Sequence, residues 1–471
     1  MRIAAWLGLT SSDICRDCRV PDRLWQGPAR LSFPIVLSRL LGVLRQADFR
    51  QLWLAQTVSQ FGTQITVLAL PLAAILVLRA STFEVAVLGA LEFLPFLLFT
   101  LPAGAWVDRL PRRRVLIAAD VGRAGLLLVI PASYQLGALS VWHLYLIAFG
   151  VGTFTVFFDL AYQSYLPGLV GRESLAEGNA RLEVSRSTAQ VLGPGTAGLL
   201  VGIAGAPIAI LADSLSYLGS AAFLTRIRRA DPGGGRRDGT QPDRPGLRRE
   251  IADGLRYFAR DPYLRSLAAT VTTFNFFSEI GAAIYLVFVV RELGLRPEAI
   301  GLVTSIGAIG LVIGALASRS VARRLGLGRA LIVSEFMSGI GLLLVAVAPR
   351  EEAMVFLTAS GFIVGVAVMV LNVNGVSLRQ AVTPDHMLGR VNATGRWIGW
   401  GTIPLGAVVG GVLATAIDLR PTLFLSAVGA GLAFLWLVPS PVRSLRDLPG
   451  TRSSTEPAPP EVAMPPVPPP A

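Results

Sequence analysis

Residues 104–114 read Gly-Ala-Trp-Val-Asp-Arg-Leu-Pro-Arg-Arg-Arg, a basic turn with a single acid, set between two long apolar runs. Each residue type has a physical job there. A glycine at the end of a membrane helix lets a neighbouring backbone approach. An acid beside it can face the positive N-terminus of that neighbour, an interaction of ~0.3–1 kcal/mol, or up to ~2 kcal/mol when partly buried. Arginines hold such a turn at a surface of anionic headgroups. Asp108 therefore reads as one side of a latch and Arg109, Arg112 and Arg113 as its anchors, with Gly104 making room. Pro111 fixes φ near −65° and so sets the path of the turn.

The flanking composition demands lipid. Hydrophobic residues make up 53% of the 471 and charged residues 15%, which places the chain among multi-span membrane proteins. A helix crosses the hydrocarbon with about 20 apolar residues. Twelve candidates occur, at 52–78, 83–106, 115–133, 142–164, 182–204, 207–225, 266–290, 298–318, 328–348, 353–378, 394–417 and 420–439. The net charge of +12 would suggest nucleic acid in a soluble protein, but here its distribution argues otherwise. Arg226, Arg228, Arg229, Arg236, Arg237, Arg244, Arg248, Arg249, Arg256 and Arg260 crowd the connection after span six. Further arginines follow spans two, four, eight and ten, whereas the other side holds Arg79, Arg291, Arg296, Arg350 and Arg420. By the positive-inside rule both termini are expected in the cytoplasm. The basic loop lacks the interleaved aromatics of a nucleic-acid surface, so no nucleic-acid partner is expected. All basic side chains are Arg, which excludes a phosphate-binding loop requiring Gly-Lys-Ser/Thr. Cys15 and Cys18 form a lone pair without further ligands, and nothing calls for a metal or a cofactor.

The chain divides into an N-terminal extension and interfacial helix (1–45), a six-helix bundle (46–226), an Arg-rich linker (227–262), a second six-helix bundle (263–442) and a Pro-rich tail (443–471). At an offset of 213, Ser164, Leu175, Asn179, Ala180, Leu192, Gly193, Gly198 and Leu200 recur as Ser377, Leu388, Asn392, Ala393, Leu405, Gly406, Gly411 and Leu413. Two parallel half-repeats with a binding site between them describe a rocking-bundle architecture. The second half echoes the 104–113 turn with Gly314, Arg319, Arg323 and Arg324, but Ser318 stands where Asp108 would be.

The pattern Gly104-x-x-x-Asp108-Arg109-x-x-Arg112-Arg113 between spans two and three resembles the signature loop of the major facilitator superfamily of secondary transporters. That resemblance implies an all-α fold of twelve transmembrane helices in two pseudo-symmetric six-helix bundles. Leu192 to Gly198 resembles the Gly-Pro-x-x-Gly-Gly element that accompanies antiport in this superfamily, with Ala197 replacing one glycine. In physical terms Pro194 bends the helix, and Gly193 and Gly198 thin it for close packing. Asp48 to Trp53, Ser59 to Thr63, Ala69-Leu70-Pro71, Asp120-x-x-Arg123, Phe157 to Asp159 and Tyr165-Leu166-Pro167 are similar to the enterobactin-exporter and macrolide-efflux branch. Many of that branch carry an acid near Thr63, which this chain lacks.

The superfamily fold lines its central cavity with spans one, four, seven and ten. This selects Gln56, Gln60 and Thr63 on span one, Asp159 and Tyr162 on span four, Asn275 and Glu279 on span seven, and Asn372 on span ten. Asn275 and Glu279 share a helical face. An ionisable group at this depth costs about 2.5–3.5 kcal/mol on insertion scales, so Glu279, nearest mid-membrane, is the first candidate for proton coupling. Glu92 and Asp213, on spans two and six, are assigned to gating contacts or the periphery, and Asp120 and Arg123 to partnership with the 104–113 turn.

The functional expectation is a monomeric, multi-pass plasma-membrane transporter, not an enzyme, that exports a small amphipathic molecule in exchange for protons. An uptake symporter and a non-transporting sensor are the alternatives. In a background lacking Cys15 and Cys18, a cysteine at Gly137 is expected to react with an impermeant thiol reagent in intact cells and one at Gly239 to be protected. The reverse pattern would overturn the assigned orientation.

Overall fold

The computed structural model describes residues 42–107, 109–171, 173–229, 256–384 and 387–449. The extension with Cys15 and Cys18, Asp108, most of the Arg-rich linker and the Pro-rich tail from 450 lie outside them. Regular structure among the described residues is helical: α1 (Ala47–Leu72), α2 (Thr82–Val107), α3 (Arg112–Gln135), α4 (Val141–Val170), α5 (Leu175–Ala204), α6 (Ala206–Thr225), α7 (Pro262–Arg291), α8 (Pro297–Leu325), α9 (Leu327–Val347), α10 (Ala353–Val382), α11 (Leu388–Gly401), α12 (Ile403–Ile417) and α13 (Leu419–Gly431). Helices are the expected solution, because hydrocarbon offers no partner for an unpaired backbone group. Among the described residues, eleven segments are long and apolar enough to cross a bilayer. The twelfth, α5, falls short because its first half carries Glu177, Arg181, Glu183 and Arg186. Side chains such as Leu146 (73% exposed), Ile203 (76%) and Leu316 (78%) face outward. Apolar surface of that extent belongs against lipid.

Local sequence explains where the helices stop. Gly171, Gly205 and Gly326 take φ of 78°, 82° and 84°, which a side chain would resist; each closes a helix, and at Gly205 and Gly326 the next begins at once. Asp261 caps α7, accepting from the Tyr263 and Leu264 amides at 2.9 Å, with Pro262 pre-set at the first position. The eleventh span was expected as one helix over 394–417 but is two, broken at Thr402. Pro404 has no amide hydrogen for the preceding turn. At the break the Gly399 carbonyl accepts from Asn275 Nδ2 of α7 at 2.9 Å and from Thr402 Oγ1 at 3.1 Å.

At the arginine-rich end, Asp48 accepts from the Arg228 and Arg229 amides at 3.0 Å each, tying the start of α1 to the chain that leaves α6. Arg113 Nε donates to the Leu224 carbonyl at 3.0 Å, which binds the 104–113 turn to the C-terminal end of α6. The Cβ direction of Gly104 meets nothing within 4 Å. The close approach expected of that glycine is not made among the described residues.

The two halves meet at the other end. A Cβ on Gly198 of α5 would lie 2.9 Å from the Gly301 Cα and 2.4 Å from the Pro297 carbonyl of α8, and Gly195 N–H donates to Ser305 Oγ at 2.8 Å. Gly411 of α12 presses on Ala86 and Phe83 of α2 in the same way. The two glycines are repeat partners at the offset of 213. So are Gly193, packed on Gln64 of α1, and Gly406, packed on Phe276 and Glu279 of α7. The repeat therefore marks the same two jobs in each half: one glycine for packing within a bundle and one for the contact between bundles.

A Cβ on Gly202 would meet Glu298 Cγ at 2.8 Å, close to the spacing a disulfide needs. The double variant Gly202→Cys/Glu298→Cys, without Cys15 and Cys18, is expected to cross-link under mild oxidation. If opening of this contact is part of the cycle, the cross-link should stop transport and a reductant should restore it, as flux assays in vesicles would show.

Candidate functional site

Among the described residues, each half holds a cavity lined by the polar candidates. The larger, about 880 Å³, belongs to the first half and runs from Glu92, Phe96 and Trp400 to Asn179, Glu183 and Arg186 near the arginine-rich end of α5. The smaller, about 310 Å³, lies in the second half and includes Thr272, Asn275, Asn372 and Arg379. Trp400, just before the break in the eleventh span, borders both, and its ring meets Phe96 edge-on at 5.4 Å.

Of the residues chosen from sequence, Gln56, Gln60, Thr63, Asp159 and Tyr162 line the first cavity and Asn275 and Asn372 the second. Gln56 is 7% exposed and its Nε2 has no partner. Glu279 lines neither cavity. It lies where Gly406 packs on α7 and interacts electrostatically with Glu92 of the other half. Glu92 is itself part of the first cavity wall, as is Asp213, so both stand nearer the site than their assignment to gating contacts or the periphery. The cause is tertiary: the Gly152 face of α4 packs against the Glu92 backbone, which brings that turn of α2 to the cavity.

Asp120 and Arg123 partner each other; their expected partnership with Asp108 lies outside the described residues. They form a buried ion pair at i, i+3, with exposures of 0% and 5%. Ser220 donates to Asp120 at 2.6 Å. The Arg123 guanidinium lies 4.4 Å from the Phe158 ring and 4.2 Å from the Tyr217 ring, reaches the cavity wall and feels the charge of Asp159. Tyr217 shares a hydrogen bond with Thr63 at 2.9 Å, and Asp213 accepts from Thr66 and from Ser216. Four helices, α1, α3, α4 and α6, are thus knitted by one polar network behind the cavity. An acid and an arginine at i, i+3 inside an apolar span were the sequence signal for this pair.

Gly193, Pro194 and Gly198 mark the contact surfaces of α5 described above. In the signature turn Arg109 is exposed, while Arg112 is half-buried with its Nε unpartnered.

Asp120→Ala leaves the buried Arg123 guanidinium without its acid, a change of about 3–5 kcal/mol for a desolvated pair. Thermal unfolding in detergent is expected to show a clear loss of stability. Asp120→Asn, which keeps an acceptor for Ser220, should lose less.

Comparison with known proteins agrees with this architecture. The multidrug efflux pump Tap of Mycolicibacterium fortuitum is 27% identical over 377 residues, covering 77% of this chain and 88% of that protein. Macrolide efflux protein A of Streptococcus pyogenes is 26% identical over 390 residues, covering 80% and 92%. A bacterial homologue of the iron transporter ferroportin, solved in its inward-facing state, superposes with a TM-score of 0.64 at 19% identity, over 84% of this chain and 98% of that one. Its outward-facing structure gives 0.54 over 83% and 98%. The profile of the family described as transmembrane secretion effector matches residues 39–465. With a polar cavity in each helical half and that match over nearly its whole length, the chain belongs to the transmembrane secretion effector family, multi-span transporters of small molecules within the major facilitator superfamily.

Proposed function

We propose that this protein exports a small amphipathic molecule from the cytoplasm in exchange for protons, alternating access between its two bundles. The observation that carries the reading is the asymmetry of closure. Glycine contacts seal the halves at the end away from the arginine-rich loops, while polar cavities extend toward those loops. With the arginine-rich end in the cytoplasm, cargo enters from inside. The efflux activity named for the relatives and the Gly-Pro element of α5, seated at the seal, favour export over uptake. Both termini are then cytoplasmic, and the monomer contains a complete pathway.

Glu279 is the proposed proton carrier. It feels the charge of Glu92 in the other half, and two like charges at membrane depth repel. Rocking the bundles changes their separation, so protonation and conformation are linked. Asp108 is proposed to latch the opposite state, in which the cytoplasmic ends come together. Gln56, Gln60, Thr63, Tyr162 and Asn372 would contact cargo along the cavity walls, with Asp159 the next acid in line for the proton.

Glu279→Gln fixes the uncharged form. Proteoliposomes carrying it are expected to lose uphill transport driven by a pH gradient, while energy-independent exchange of cargo persists. Wild-type gradient-driven flux in the variant would place coupling elsewhere. Direction is read in everted vesicles: accumulation on adding an energy source means export, and depletion means uptake.

A further inference from the structure

Charge is distributed unequally between the two cavities. The first carries Glu92, Asp159, Glu183 and Asp213 against Arg123 and Arg186. Both of those arginines already have acids, Asp120 for Arg123 and Glu183 for Arg186. The second holds Arg379, and none of its described lining residues is acidic. No hydrogen bond or ion pair reaches the Arg379 guanidinium from the described residues, and its Nε is buried without a partner. Thr272 Oγ1, in the same wall, is also buried and unpartnered. Gly395 of α11 makes room for this arrangement: a Cβ there would lie 3.3 Å from an Arg379 terminal nitrogen and 3.2 Å from the Phe258 ring.

A half-buried cation and a buried hydroxyl without partners among the described residues are costly to keep, and both belong to the wall of this one cavity. We propose that Arg379 and Thr272 form the subsite for the anionic group of an amphipathic cargo, a carboxylate, sulfonate or phosphate, with its apolar body against Leu267, Val271 and Trp400. Resting on the reading of these cavities as the cargo site, this names the substrate class. The acids of the first cavity repel such a group into the second, and the basic cytoplasmic loops draw anions toward the mouth.

The test uses matched aromatic probes, 1-naphthoate, 1-naphthamide and 1-naphthylmethylamine, titrated calorimetrically into the full chain in phosphatidylcholine nanodiscs. Naphthoate is expected to bind most tightly. Arg379→Gln should weaken it about tenfold, the size of one hydrogen bond to a charged group, and Arg379→Lys less. Thr272→Val should weaken naphthoate and leave naphthamide unchanged. Thermal unfolding of Arg379→Gln is expected near or above wild type, since an unpaired cation is removed. No preference for naphthoate over naphthamide, or equal naphthoate binding by wild type and Arg379→Gln, overturns the proposal. Displacement of naphthoate by adding phosphatidylglycerol to the nanodiscs would assign the subsite to a lipid headgroup and also overturn it. Glu279→Gln leaves this subsite untouched, so charge selectivity and proton coupling fail independently.

Discussion

The arrangement of this protein depends on how closely two helix backbones can approach at one end of the molecule. At Gly198 and Gly301 the α5 and α8 backbones come within a distance that leaves no space for a Cβ on either, and Gly411 repeats the device between α12 and α2. Between apolar helices in lipid the hydrophobic effect supplies little net attraction, so van der Waals contact and interhelical hydrogen bonds hold the seal. Such contacts are lost steeply with separation.

Behind the joint the two halves differ in chemistry although their chain paths repeat. The first half has a polar spine, Asp120–Arg123 with Ser220, Tyr217, Thr63, Asp213 and Thr66, in which most charged or polar atoms find partners. Removing one member strands another in a low-dielectric interior. Those contacts tie α1, α3 and α6 to one another. The second half keeps Arg379 and Thr272 unsatisfied beside a smaller cavity. Glu335 of α9 is 0% exposed, with neither carboxyl oxygen partnered, and the structure offers no physical account of it.

The boundary between the halves is also where charge and helix geometry are coupled. The break before Pro404 leaves the Gly399 carbonyl to Asn275, one turn from Glu279 on the same face of α7. Trp400 sits on that break and borders both cavities. A proton arriving at Glu279 would therefore act beside the irregular backbone that shapes the passage between them, in keeping with the rule that broken helices at membrane depth line cavities.

Much of this was legible from residue order. The many membrane spans follow from a local quantity, hydropathy over a window of about 20 residues. The glycines at the offset of 213 announced close packing, though not their partners. What only the tertiary structure decided is which polar groups share a space. Asp120 and Arg123 pair with each other, Glu92 and Asp213 stand at the first cavity, and Glu279 lies under Gly406 and outside both cavities. Helical periodicity fixes the face a residue occupies on its own helix, but what that face meets depends on the rotation and tilt of neighbouring helices, set by small-residue contacts far apart in the chain. A single sequence specifies those contacts only through the packed whole.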